Sequence, residues 1–220
     1  MKSITLALSG LLLTSCASIP GAKPDDMSAK AHEAEADRHA REAKVHRADY
    51  DPSAAVWHTR SESETDAFDV LPEYYYNPTD VHMAQAQRHQ LAERAHRHAA
   101  VELEAFAREE CAGIKVKTRA RCPLLGGVLK VTNIEGGVRF WLPEGVDPDG
   151  IVAHMRCHFA VGREAGRAGM RSCPLYLQAL TIRRVGDRAV ELTSSEASIV
   201  AEIRARMASH VVTETDRYDE

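Results

Sequence analysis

The chain has 220 residues and a formal net charge of −4, and 44% of its residues are hydrophobic. This length allows one or two domains, and the apolar fraction excludes a wholly disordered chain. Phosphate contacts need clustered positive charge, so the acidic balance argues against a nucleic-acid-binding protein. Five cysteines and eleven histidines stand out in this composition.

The N-terminal residues have the pattern of a bacterial export signal. Lys2 precedes a short apolar segment, and Leu13-Thr14-Ser15-Cys16 follows that segment. These four residues resemble the lipobox of bacterial lipoproteins, in which small residues precede a cysteine that becomes lipidated after cleavage.

The resemblance implies a signal peptide at residues 1–15, lipidation of Cys16 and a flexible tether at residues 16–27. Acyl chains on Cys16 would anchor the protein to a membrane. The residue directly after Cys16 is Ala17 and not an aspartate. By analogy with the family, we therefore expect an outer-membrane lipoprotein of the cell envelope that faces the periplasm.

Residues 28–110 are predicted to form a histidine-rich helical hairpin. Residues 28–48 and 79–111 are rich in good helix formers, and Thr79 is placed to cap the second helix. Residues 49–78 contain prolines and aromatic residues. We interpret that segment as a strap packed on the domain, with a solvated tip at residues 59–66.

Residues 111–210 repeat one pattern twice, in which a cysteine, a loop with Cys-Pro-Leu and a β-hairpin follow a helix. The two Cys-Pro-Leu motifs begin at Cys122 and Cys173, 51 residues apart. The predicted fold is therefore α+β. Two αββ units form a four-stranded antiparallel sheet with helices on one face, and a C-terminal helix over residues 195–209 precedes a frayed tail at residues 211–220.

Four cysteines remain once Cys16 is assigned to lipid: Cys111, Cys122, Cys157 and Cys173. Disulfides form in the oxidising compartments that exported proteins enter, and four cysteines allow three pairings. The repeat favours one bridge per unit, Cys111–Cys122 and Cys157–Cys173. Each would stabilise the fold by about 2–3 kcal/mol.

Histidines recur every seven residues in both N-terminal helices, at His32, His39 and His46 and at His82, His89 and His96. Residues seven apart lie on one side of a helix. An antiparallel hairpin would pair His32 with His96, His39 with His89, and His46 with His82.

Histidines of one stripe lie about 10.5 Å apart along the helix axis, too far to share a metal ion with bonds of about 2 Å. Pairs across the two helices could share one, with Glu35, Glu42 or Glu93 as a further ligand. Zinc or copper is the candidate cofactor. The alternatives are structural imidazoles on a helix flank and a pH sensor.

A second candidate site combines His154, Cys157 and His158 with the distant Cys173. His154 and His158 are one helical turn apart, a spacing that can chelate a divalent metal. With both cysteines as thiolates this would be a Cys2His2 zinc set, but the predicted disulfide would remove two of its ligands.

The sequence contains no nucleophile elbow, His-Glu-x-x-His helix, phosphate-binding glycine loop or Cys-x-x-Cys pair. We therefore expect a non-catalytic binding or structural module with an envelope protein or polymer as partner. The alternatives are a periplasmic zinc- or copper-binding lipoprotein that uses the histidine stripes, and an envelope hydrolase without a recognisable motif.

Overall fold

The computed structural model describes residues 19–58, 74–166 and 170–211. Cys16 and the tip of the strap lie outside these residues, so their predicted roles stay predictions. The helices are α1 Ala29–Asp49, α2 Asp80–Glu110, α3 Val116–Arg119, α4 Pro148–Ala165 and α5 Ala197–Ala208. The strands are β1 Val56–His58, β2 Tyr74–Tyr76, β3 Lys130–Ile134, β4 Gly137–Trp141, β5 Thr181–Val185 and β6 Ala189–Thr193.

The predicted α+β fold is confirmed. Strands β3 to β6 form one antiparallel sheet in the order β3-β4-β6-β5, and β1 and β2 form a separate two-stranded ribbon. Side chains alternate across the sheet, so Val138, Phe140 and Leu192 are buried on the face that the helices cover. The opposite face carries Arg139 and its direct cross-strand partner Glu191.

The two hairpins, β3–β4 and β5–β6, are related by approximate two-fold symmetry, but the helices are not, because α4 packs on β5 and β6 whereas α2 contacts none of the strands that the structure describes. Strands β4 and β6 hold equivalent places in the two units and pair with each other at the centre of the sheet, while β3 and β5 lie at its edges. Residues near the two-fold axis therefore contact the equivalent residues of the other hairpin.

The predicted disulfide pairing is wrong. The structure joins Cys111, at the end of α2, to Cys157 inside α4, because these two helices pack on each other. Cys122 and Cys173 are not covalently joined, but their sulfurs lie 3.1 Å apart, since each precedes one of the two equivalent hairpins. The prediction assumed instead that each cysteine pairs within its own unit.

Helices α1 and α2 form an antiparallel hairpin that packs against α4. Small side chains allow close approach of α1 and α2, because Ala36, Ala43 and Ala99 are all buried between them. At the end of the hairpin, the rings of Phe106 and Phe159 pack edge to face. The disulfide lies at the same junction and attaches the hairpin to the α+β unit covalently.

The described part of the strap differs from its predicted packing. Trp57 is 66% exposed and Tyr75 is 63% exposed, and their rings contact each other edge to face. The interpretation as a strap packed on the domain is therefore wrong for these residues, which form an exposed aromatic ribbon. By contrast, Asp25 in the expected tether pairs with Arg163 of α4, so this part of the chain lies against the fold.

Candidate functional site

Six histidines form a continuous ladder along the α1–α2 hairpin. We call this set, His32, His39, His46, His82, His89 and His96, the histidine ladder. The pairings expected for an antiparallel hairpin are confirmed, with Nδ1–Nδ1 distances of 2.9 Å for His32–His96, 2.9 Å for His39–His89 and 3.3 Å for His46–His82. Neighbouring ring centroids are 5.2–5.6 Å apart, so the ladder has no large break.

The ladder has a closed end and an open end. His32 and His96 are almost fully buried, whereas the side chain of His89 is 26% exposed and that of His82 is 32% exposed. The heptad continues from His96 to Leu103, which is also buried. The closed end therefore lies towards the interface with the α+β unit, and the open end is accessible to solvent.

Burial at the closed end favours neutral imidazoles. Desolvation lowers the pKa of His32, and the neighbouring His96 lowers it further. Desolvation also lowers the pKa of His39 and of His96. Neutral imidazole is the form that binds a metal ion, since one ring nitrogen then carries a free lone pair.

Carboxylates of α1 lie beside the cross-helix histidine pairs of the ladder, each of which we call a rung. Three groups of two histidines and one carboxylate have their ligand atoms within 4.8 Å of one another: Glu35 with His39 and His96, Glu42 with His39 and His89, and Asp49 with His46 and His82. Glu35 and Glu42 are among the carboxylates proposed from the sequence. Glu93, the third, instead pairs with Arg97, and Asp49 was not anticipated.

The central rung has the most convergent geometry. Glu42 Oε2 lies 2.9 Å from His89 Nδ1 and 3.5 Å from His39 Nδ1, and the two nitrogens are 2.9 Å apart. Three atoms at these separations can all lie about 2.0–2.2 Å from one common point, which is the bond length of zinc to nitrogen and oxygen. Glu42 Oε2 is buried and yet forms no hydrogen bond with any residue that the structure describes.

Arg38 orients the carboxylates of the ladder. Its guanidinium donates hydrogen bonds to Glu35 Oε2 and, at 2.8 Å, to Glu42 Oε1. Burial alone would raise the pKa of Glu42, but the hydrogen bond from Arg38 and the two facing histidines lower it. Glu42 is therefore held as a carboxylate, with one oxygen on Arg38 and the other towards His39 and His89.

The second site proposed from the sequence is only partly assembled. His158 and Cys173 lie together, and Cys122 lies beside them. Cys157 is in the disulfide, and His154 Nε2 donates a hydrogen bond to the Thr118 carbonyl, so neither belongs to this group. The prediction that His154 and Cys157 act as ligands is therefore wrong.

One further histidine, which the sequence did not reveal, lies beside this group. His210 Nε2 lies 3.8 Å from Cys122 Sγ. His210 follows the last helix, outside any repeat, and no spacing rule relates it to Cys122. The pKa of Cys122 falls to about 4, chiefly because the Cys173 thiol donates a hydrogen bond to its sulfur, with further contributions from His210 and the Leu124 backbone N–H.

No protein-family model, curated protein or solved structure matches this chain significantly. Within the part of the chain that the structure describes, no helix is both long enough and apolar enough to cross a bilayer.

Proposed function

We propose that this protein is a lipid-anchored, periplasm-facing envelope protein that binds divalent transition-metal ions, zinc or copper, along the histidine ladder. The observation that carries the proposal is the convergence of His39 Nδ1, His89 Nδ1 and the buried Glu42 Oε2. Two imidazoles and a carboxylate are a common ligand set for zinc.

The proposed location depends on the lipobox-like residues Leu13-Thr14-Ser15-Cys16, and the disulfide Cys111–Cys157 supports it. Disulfides persist in oxidising compartments and are rare in the cytosol of mesophiles. Labelling cells with a fatty-acid analogue, and repeating it with Cys16→Ala, tests the anchor. Label that persists in the variant would contradict lipidation at Cys16.

We infer that the ladder takes up and releases metal ions, because its outer end is open to solvent and two of its ligand groups overlap. The open end exposes His82 and His89 to solvent, and neighbouring rings follow one another at 5–6 Å along the helices. Two of the three carboxylate-flanked groups share a ligand, because His39 belongs to both. Binding at these two groups is therefore mutually exclusive, which suits transfer of an ion between them.

Calorimetry on the full-length protein, extracted in detergent and stripped of metal, tests the proposal. We expect Zn²⁺ or Cu²⁺ to bind more tightly than about 10 µM, a binding free energy of about −7 kcal/mol. The double variant His39→Ala/His89→Ala should bind at least about tenfold more weakly, a loss of about 1.4 kcal/mol.

His98→Ala is the matched control, because His98 lies on the same helix but its side chain is 75% exposed and contacts only the nearby Glu102 among the acidic groups described. Its affinity should equal that of the parent protein. Absence of binding tighter than about 10 µM, or an unchanged affinity in the double variant, would refute the proposal.

Binding of an envelope partner is a second candidate, and the exposed aromatic ribbon favours it. Aromatic side chains are enriched at interfaces, and Trp57, Tyr75 and Tyr76 are all at least 47% exposed. A photoreactive residue at position 57 should cross-link one envelope component in cells, whereas the same residue at the 77% exposed Val116 should not. Equal products from both positions, or recovery of monomer alone, would contradict this role.

A further inference from the structure

A second group of metal-ligand side chains lies inside the α+β unit and shares no residue with the histidine ladder. We call this set, Cys122, Cys173, His158 and His210, the Cys/His centre. All four side chains are buried, with at most 7% exposure. Cys122 Sγ is 3.1 Å from Cys173 Sγ, and a ring nitrogen of His158 lies within 4.8 Å of both sulfurs. His210 Nε2 is 3.8 Å from Cys122 Sγ but is not within 4.8 Å of all three other ligand atoms, so its ring would have to move inwards to bind the same ion.

Both histidines of the centre have the same ring nitrogen occupied. His158 Nδ1 lies 2.9 Å from the Arg119 carbonyl oxygen, and His210 Nδ1 lies 2.8 Å from the Arg206 carbonyl oxygen. A carbonyl oxygen only accepts, so Nδ1 carries a proton in each ring, and Nε2 is the nitrogen left for a metal ion. Metal-ligating histidines are typically held in this way, with the other ring N–H donated to a carbonyl or carboxylate.

The lone pair of His158 is left without a partner inside the protein. His158 is fully buried, and its Nε2 makes no hydrogen bond with any of the residues described. An unsatisfied buried acceptor costs about 1–3 kcal/mol, so such atoms call for a specific explanation. A positively charged ion between His158 and the two sulfurs would satisfy this lone pair.

The repeated Cys-Pro-Leu motif forms the same turn at both cysteines. The Cys122 carbonyl accepts a hydrogen bond from Leu125 N, and the Cys173 carbonyl accepts one from Tyr176 N, three residues on in each case. Proline is favoured at the second position of such turns because its φ angle is already suitable. The two equivalent turns therefore present their cysteine sulfurs to each other across the two-fold axis.

We propose that the Cys/His centre binds one zinc ion in a closed, structural Cys2His2 site. Four protein ligands complete the tetrahedral coordination of zinc, which leaves no position for substrate. Both sulfurs bind as thiolates and both Nε2 atoms bind through their lone pairs, so any protons that they carry go to solvent and no oxidation state changes. Two thiolates, two neutral imidazoles and Zn²⁺ have zero net charge, which suits a buried site.

The ion would join four separate segments of the chain. These are the two Cys-Pro-Leu turns, α4 through His158 and the end of α5 through His210. Val211, which follows His210, already forms a parallel bridge with Val128, so the backbone holds His210 beside the first turn. Bonds of about 2.3 Å to sulfur place two thiolates about 3.7–3.8 Å apart in a tetrahedral site, so binding requires the sulfurs to separate by about 0.6–0.7 Å.

The test uses full-length protein extracted in detergent, with its metal replaced by Co²⁺. Tetrahedral cobalt with thiolate ligands gives a sulfur-to-metal charge-transfer band and intense visible bands. We expect both, together with one zinc per chain in the protein as isolated. Alkylation in denaturant without reductant, followed by peptide mapping, should label Cys122 and Cys173 and leave Cys111 and Cys157 unlabelled.

Substitutions distinguish the residues that bind the metal ion from residues that only lie near it. Cys122→Ser should weaken Co²⁺ binding by at least about a hundredfold and reduce the charge-transfer band. His210→Ala keeps both thiolates and lies at the end of the last helix, so it should retain the fold and the charge-transfer band while weakening affinity at least about tenfold. His154→Gln is the matched control, since His154 lies one turn from His158 and is bonded to the Thr118 carbonyl instead.

Three outcomes would overturn this proposal: a disulfide between Cys122 and Cys173, no thiolate-cobalt band in the parent protein, or equal losses in His154→Gln and His210→Ala. The proposals for the histidine ladder and for the Cys/His centre can be refuted independently of each other. The variant His39→Ala/His89→Ala should keep the thiolate-cobalt band, and His210→Ala should keep the binding at the ladder.

Discussion

Removal of the Cys111–Cys157 disulfide should destabilise the protein strongly, because this bridge closes a long loop. The two cysteines are 46 residues apart in sequence. In the chain-entropy model a loop of this length loses about 13–14 cal/mol/K of unfolded-state entropy when it is closed, which corresponds to about 4 kcal/mol at 25 °C. The bridge predicted from the sequence, Cys111–Cys122, would close a much shorter loop and stabilise by only about 3 kcal/mol.

The perturbation is the double variant Cys111→Ala/Cys157→Ala, which removes the bridge without leaving a buried thiol. For a domain of about 150–250 residues, a loss of about 4 kcal/mol lowers the melting temperature by about 8–16 °C. Urea unfolding followed by circular dichroism gives the free energy, and calorimetry gives the melting temperature. Adding a reductant to the parent protein should reproduce the loss, whereas the variant should be unaffected by reductant.

A loss of free energy below about 1 kcal/mol would refute this reasoning. A non-reducing peptide map that links Cys111 to Cys122 would refute the pairing itself. The same bridge joins α2 to α4, so the variant also tests whether the ladder depends on its attachment to the α+β unit. Since the ladder lies between α1 and α2, we expect metal affinity at the ladder to change much less than stability.

Three further predictions concern stability. Glu191→Gln should lower the free energy of unfolding in urea by about 2 kcal/mol, because Glu191 is buried between two arginines. Glu202 is half-exposed, so Glu202→Gln should lower it by less than about 0.5 kcal/mol. Equal losses in the two variants would contradict the reasoning. Gly137→Ala should lower the free energy of unfolding by more than about 2 kcal/mol, because the added Cβ would clash with the backbone carbonyl of Leu192 in β6. Gly127→Ala meets only an ordinary contact and should be nearly neutral. Metal-free protein should lose stability as the pH falls below 6.5. The folded-state pKa values of histidines at the closed end are lowered, so below that pH the unfolded chain binds more protons than the folded protein. An equal loss of stability in His39→Ala/His89→Ala would contradict this reasoning.

The ladder could be predicted from the sequence because two local signals agree. Heptad spacing determines which side of each helix carries the histidines, and an antiparallel hairpin reverses the order of the second stripe. Small residues such as Ala36 and Ala43 then allow the helices close enough for ring contact. Which carboxylate joins each rung depends on side-chain direction, so Glu93 was proposed wrongly and Asp49 was missed.

The Cys/His centre could not be assembled from sequence spacing. Its residues come from four segments between positions 122 and 210, and only the tertiary fold brings them together. The repeated Cys-Pro-Leu motif is the only signal for this centre in the sequence, and it predicts two units that each form their own disulfide. The order β3-β4-β6-β5 places the two hairpins side by side, so the Cys-Pro-Leu turns before them bring Cys122 to Cys173. The packing of α2 on α4 brings Cys111 to Cys157.

The position of the anchor gives the ladder a direction relative to the membrane. Lipidation at Cys16 would leave the start of α1 close to the bilayer, because Asp25 is already held against α4. Helix α1 has 21 residues and is therefore about 30 Å long. His32 at the closed end lies near its start, and His46 lies near its far end. The open end and the aromatic ribbon, which follows α1, then point away from the anchor, so that metal ions and envelope partners would approach the protein from the same side.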